Sequence, residues 1–141
     1  MTWILLAVIT AISYGVYNVF IKISSGSINQ VVGAVILQVV AAIFGGVILL
    51  FMKFNGAEFN ISQKGVLFAV LAGITVGLAE ILSFYVFSKG APVSIGTAII
   101  VGGSVVVAAA VGFFMKESFT FFNMLGLLAI VCGIVLFSLN K

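Results

Sequence analysis

The chain has 141 residues, 64 % of them hydrophobic and 6 % charged, with a formal net charge of +3. A soluble domain keeps roughly a quarter of its residues charged to maintain a polar skin, so a water-soluble globule is excluded, and six scattered lysines leave no footprint for nucleic acid. Cys132 is the single cysteine and there is no His, Arg or Asp, which removes disulfide frameworks, zinc sites and Ser/His/Asp chemistry; no cofactor and no enzymatic activity are expected.

In lipid, every backbone N–H and C=O must be satisfied within the protein, and only helices and closed barrels achieve this. Barrel strands alternate apolar and polar residues over about ten positions, and no segment here does. The apolar runs instead have the length of about 20 residues that a helix needs to cross roughly 30 Å of hydrocarbon. The expected fold is all-α: a single domain over 1–141, an integral membrane bundle of five transmembrane helices near 3–21, 30–52, 65–88, 93–115 and 120–139.

The first segment lacks the basic leader of a signal peptide and exceeds its usual apolar length, so it is read as a retained helix. Thr10, Ser13, Tyr14, Tyr17 and Asn18 are spaced 3-1-3-1 and share one face of it. Such a stripe is either a cavity wall or a set of interhelical hydrogen bonds worth about 0.6 kcal/mol each. In the second segment Gln38 stands alone, with Ala34, Ala41, Ala42 and Gly45 around it. It either lines a cavity or bonds to a neighbouring helix. Asn55, Gly56, Glu58 and Asn60 then supply turn chemistry between Lys53 and Lys64.

The third segment holds Glu80, the one acid well inside a span. An acidic side chain near a helix centre costs about 2.5–3.5 kcal/mol on insertion scales, and such residues usually face a bundle interior or a watery cavity. Removal from water disfavours the charged carboxylate, so a proton bound there can be exchanged for a cationic solute. Gly73, Gly77, Glu80 and Phe84 follow 4-3-4 spacing on one face. The glycines admit a close backbone or ligand, and Phe84 offers a ring for stacking. The alternative is a protonated Glu80 that bonds to a neighbouring helix.

Ser94, Thr97, Gly102, Gly103 and Ser104 lower the bulk of the fourth segment. Gly102-Gly103 reads as a hinge, since glycine pairs cause kinks, or as tight small-residue packing. Lys116 and Glu117 read as an interfacial charge pair. Gly126 and Gly133 fall on one face of the last segment. With the amino terminus cytoplasmic, Lys53, Lys64 and Lys116 lie inside and Lys22, Lys89 and Lys141 outside, which sets no orientation. Either the lysines are too few to decide, or the chain inserts both ways and pairs with an inverted copy.

From Lys116 the sequence reads K-E-S-F-T-F-F-N-M-L-G-L-L-A-I-V-C-G, which resembles the closing hairpin of the EamA domain in the drug/metabolite transporter superfamily. Glu117, Thr120, Gly126 and Gly133 fall on that pattern, and Tyr14-Gly15 ahead of Lys22 occupies the place of the family's Trp-Gly and Lys. The first and last segments are also similar to those of the small multidrug resistance proteins. Two features depart from the pattern: the proline usual in the fourth span is replaced by Gly102-Gly103, and there is one five-helix repeat where most members carry two. The resemblance implies one repeat of the transporter fold, paired as an inverted (antiparallel) dimer with itself or with a paralogous half. The face of Gly126 and Gly133 would be where repeats meet, or else a contact inside one bundle. It further implies a secondary transporter of small organic solutes in a plasma (bacterial inner) membrane. Thr10, Tyr14, Tyr17, Asn18, Gln38, Glu80 and Phe84 are the candidate solute and proton residues, and a non-transporting subunit that stabilises another membrane protein is the alternative.

Overall fold

The computed structural model describes residues 2–139, and Lys141, counted in the charge balance, lies outside them. Five helices follow one another: α1 Thr2–Ser25, α2 Gln30–Phe54, α3 Gln63–Ser88, α4 Val93–Phe114 and α5 Phe121–Leu139. Each is long and apolar enough to cross a membrane, and no strand occurs among the described residues. The helices lie over the five apolar segments, with α1 continuing to Ser25 where the sequence suggested a stop at 21.

The ends are set by local chemistry. Asn29 Oδ1 accepts from the backbone N–H groups of Val31 and Val32 at 3.0 and 3.3 Å and starts α2. Gly56, at φ +79°, stops it: its N–H donates to the Lys53 carbonyl and that of Ala57 to Met52, at 3.0 and 3.1 Å. That pair of bonds closes the last carbonyls in a Schellman cap. Ser62 Oγ accepts from Gly65 N–H at 3.0 Å to begin α3, and Gly90 at φ +97° follows its end. Pro92 caps α4, where its missing N–H costs nothing. A second Schellman cap ends α4, with Lys116 N–H on the Phe113 carbonyl and Glu117 N–H on Gly112. Here the left-handed position, φ +60°, is held by Lys116 in place of a glycine. Thr120 Oγ1 then accepts from Asn123 N–H at 3.3 Å and begins α5.

Two compact units divide the chain, one of residues 21–89 and one of residues 2–20 with 90–139. In the first, α2 packs on α3. Its core is small: Ile21, Ala34, Phe84 and Phe87. Phe84 sits against the backbone of Gly33 so closely that a β-carbon there would stand 2.5 Å from its ring. In the second unit α4 packs on α5, with Ile134 seated on Gly102, where a β-carbon would meet it at 2.7 Å. The helix α4 runs uninterrupted through Gly102-Gly103. Most remaining Leu, Ile, Val and Phe side chains face outward, the arrangement expected where lipid replaces water around the protein.

The glycine at 33 is therefore a packing requirement. Gly33→Ala is expected to lower stability by about 1–3 kcal/mol, because the buried Phe84 ring must move. Gly45→Ala, where a β-carbon meets open space, gains helix propensity instead. Thermal unfolding of the two variants in detergent checks the contrast; equal midpoints would dismiss the Gly33–Phe84 contact as a constraint.

Candidate functional site

In the α2–α3 unit, one face of α3 carries Gly77, Glu80, Ser83, Phe84 and Phe87. Glu80 is 9 % exposed, and its Oε2 is buried without a hydrogen-bond partner. On the preceding turn, Gln38 of α2 reaches across Gly77: its Oε1 lies 3.5 Å from where a β-carbon would stand. The gap left by the missing side chain thus admits an amide beside the turn that holds the acid. On the following turns Phe84 and Phe87 are 3 % and 1 % exposed. Phe84, expected to offer a ring to a solute, is held against Gly33 instead of lining open space. Gly73, a turn before Gly77, faces open space. The Ser83 hydroxyl donates to the Ala79 carbonyl at 2.8 Å and is satisfied within its own helix.

Lys22 has a role that its sequence position did not suggest. Its Nζ donates to the Phe87 carbonyl at 3.1 Å, so α1 supplies a cation to the carboxyl end of α3. A cation there meets unsatisfied carbonyls and the negative end of the helix dipole. The helix α1 itself continues past Lys22 to Ser25.

In the α4–α5 unit, the polar stripe of α1 is largely satisfied by its own helix. Thr10 Oγ1 donates to the Leu6 carbonyl, Ser13 Oγ to Ile9 and Asn18 Nδ2 to Tyr14, at 2.8, 3.0 and 2.8 Å. Asn18 is buried and Tyr14 is exposed. Tyr14 and Tyr17 stack edge to face with centroids 5.9 Å apart, while the Tyr17 hydroxyl is buried with no partner. Two clefts adjoin the stripe. One, of about 320 Å³, runs along α1 past Thr10, Ser13, Tyr14 and Tyr17. The other, of about 400 Å³, lies between α1 and α4 and is lined by Thr10, Tyr14, Gly15 and, from α4, Thr97 and Val101. The Thr97 hydroxyl is the second buried, unpartnered group of this unit. The sequence marked Thr97 only as a small residue; whether a threonine bonds to its own helix or away from it leaves no trace in spacing.

Gly126 and Gly133 of α5, like Gly103 of α4, have nothing within 4 Å of a would-be β-carbon. Gly112, by contrast, is covered by the Glu117 carboxylate, whose Oε2 would stand 2.6 Å from such a carbon. The acid after α4 thus folds back over the last turn of the helix it follows. Among the described residues no cluster of His, Cys, Asp and Glu could hold a metal ion.

Five apolar helices, carrying an unpartnered acid and two unpartnered hydroxyls in their spans, define an integral membrane protein. The chain belongs to the EamA-like transporter family, whose model matches residues 1–139. It is thereby a membrane transporter of the drug/metabolite superfamily, a family whose members in general are not enzymes. No curated protein and no solved structure matches it.

The Lys22 contact predicts a local effect. Lys22→Met should weaken the end of α3 by about 1–2 kcal/mol, the scale of a charged hydrogen bond at a helix terminus. Trypsin should then cut after Lys89 roughly tenfold faster through local opening, with the rate after Lys53 unchanged. An unaltered ratio of the two cuts would leave the contact without energetic weight.

Proposed function

We propose that the chain is a secondary carrier of small organic solutes, driven by exchange of a proton or cation at Glu80. The observation that carries this reading is the Glu80 Oε2 atom: buried in a span, on a residue 9 % exposed, and without a partner. A carboxyl in that position needs a proton, a cation or a polar group to satisfy it. A group that must bind something and can release it to either side is what coupled alternating access requires. Gln38, reaching over Gly77, furnishes a polar group beside the acid, and in the other unit Thr10, Tyr14, Tyr17 and Asn18 furnish polar and aromatic groups of their own. A lone acid without Arg or Lys at depth favours amines over phosphates. The working form is a pair of inverted copies, or one copy with an inverted paralogous half, meeting along the Gly126 and Gly133 face of α5. The evenly divided lysines and the uncovered α-carbons of that face support the pairing. The bacterial plasma (inner) membrane, across which a proton gradient is maintained, is its place of work.

Purified protein in liposomes loaded with a pH-sensitive dye tests the coupling, with inward gradients of organic amines imposed in turn. The wild type should release protons in exchange for at least one amine, and Glu80→Gln should slow that exchange at least tenfold while the protein stays folded. Full exchange by the variant would reduce Glu80 to packing, and a wild type that moves nothing would favour a non-transporting subunit. The pairing has its own check. Glu58→Cys in a Cys132→Ser background should react with an impermeant maleimide from both sides of one membrane preparation. Labelling from one side alone would end the inverted arrangement.

A further inference from the structure

In the α4–α5 unit a groove of about 250 Å³ runs between the two helices, lined along α4 by Val106, Ala109 and Phe113 and across from it by Phe119, Met124 and Leu127. No polar side chain lines it. From Val106 to Phe113 it extends ~10 Å at the rise of an α-helix, and it stops where α4 stops. Phe113 and Met124 are 72 % and 53 % exposed, so the groove opens outward, where a membrane offers hydrocarbon chains. By helical spacing Gly126 lies about 100° or more around α5 from Met124 and Leu127, so a partner along the glycine face leaves the groove open.

The rim carries both signs of charge. Lys116 N–H donates to the Phe113 carbonyl at 3.1 Å, which sets the lysine at the end of the groove. Its φ of +60° is one that glycine adopts freely and other residues rarely do, so a cation stands where a glycine would fit with less strain. Beside it the Glu117 carboxylate lies over Gly112 together with the Phe119 ring: a β-carbon on Gly112 would stand 2.6 Å from Oε2 and 3.5 Å from the ring. Both charged residues are exposed. A cation and an anion side by side, above an apolar groove at the end of a span, complement a zwitterion with a hydrocarbon tail. A purely anionic headgroup would suit Lys116 but be opposed by Glu117 and by the negative end of the α4 dipole. A choline headgroup has no N–H to give the carboxylate.

We propose that the α4–α5 groove seats one acyl chain of a phosphatidylethanolamine, with Lys116 on its phosphate and the Glu117 carboxylate accepting from its ammonium group. Lysine meets phosphate as a point charge, and a hydrogen bond between two charged groups is about twice as strong as a neutral one. The site concerns the lipid around the protein and does not rest on the carrier reading.

Bromine on an acyl chain quenches a nearby indole, so the seated lipid can be read by fluorescence. Trp3 is the single tryptophan. Leu128→Trp in a Trp3→Phe background puts an indole one turn after Met124, at a position 59 % exposed; Ile43→Trp in the same background, on α2, is the control. Each protein enters phosphatidylcholine vesicles holding a minor share of one brominated lipid: phosphatidylethanolamine, phosphatidylcholine or phosphatidylglycerol. At position 128 the ethanolamine lipid should quench roughly two- to fivefold more than the other two, the scale of an exposed ion pair. At position 43 the three should quench alike. Glu117→Gln should bring the ethanolamine lipid down to the choline one. Lys116→Gly should also weaken the preference, yet raise the thermal midpoint in lipid-free detergent, since glycine takes that φ without strain. Equal quenching by the three lipids at position 128 overturns the proposal, and so does a preference for phosphatidylglycerol. An ethanolamine preference that survives both variants overturns it too, as does quenching at 128 far below that at 43 for every lipid, which would put a second copy in the groove. Should either variant fail to fold, the ranking of lipids by the unaltered rim still decides.

Discussion

The structure depends on the absence of water as a hydrogen-bond partner. In hydrocarbon each polar group must be satisfied by the protein itself, and each unsatisfied one costs several kcal/mol. That constraint explains why the hydroxyls of Thr10, Ser13, Thr75 and Ser83 fold back on their own helices. It also explains why the carbonyls at the ends of α2 and α4 are closed by reverse turns at Gly56 and Lys116. Against so complete an accounting, the orphaned atoms of Tyr17, Glu80 and Thr97 stand out.

Packing obeys a second rule that follows from the first. Lipid tails are as apolar as leucine, so helices gain nothing from burying aliphatic surface against one another and associate through close fit. Phe84 on Gly33 and Ile134 on Gly102 are such fits, a large side chain seated on bare backbone. Gly126 and Gly133, by contrast, have nothing within 4 Å of a would-be β-carbon. The four fully apolar buried residues of the core would be far too few to hold a soluble domain together; here they need only orient helices already made by the membrane.

The five spans were readable because their signal is coarse: a run of apolar residues, a lysine, a turn. The end of α1 was misjudged for a physical reason. The first span was expected to end near 21, ahead of Lys22, whereas the helix runs to Ser25 and the Lys22 ammonium group finds the Phe87 carbonyl, a pairing between residues far apart in sequence. Spacing placed Glu80, Phe84 and Gly77 on one face, and they share it, but it could not say that Phe84 would be plugged into Gly33 or that Gln38 would cross Gly77. The α1 stripe was open to two readings, a cavity wall or interhelical hydrogen bonds, yet three of its five members are bonded to their own backbone. That the Thr97 hydroxyl of α4 would be left without a bond could not be read from spacing.

The ammonium group of Lys22 also fixes a depth. Lysine heads stay near the membrane boundary while their stems pass through the apolar layer, so the Phe87 carbonyl that receives it would lie near the edge of the hydrocarbon on that side. Glu80 lies two turns along α3 from that mark, ~10 Å at the rise of an α-helix. For a hydrocarbon layer that ended at that carbonyl, a half-thickness of ~15 Å would put the acid off the midplane, nearer the leaflet where Lys22 ends. Turning a second copy upside down would therefore set its acid on the other side of the midplane. An antiparallel couple would carry two carboxyls as rungs at unequal heights, ~10 Å apart along the membrane normal, with a relay from one rung to the next in place of a single shared seat.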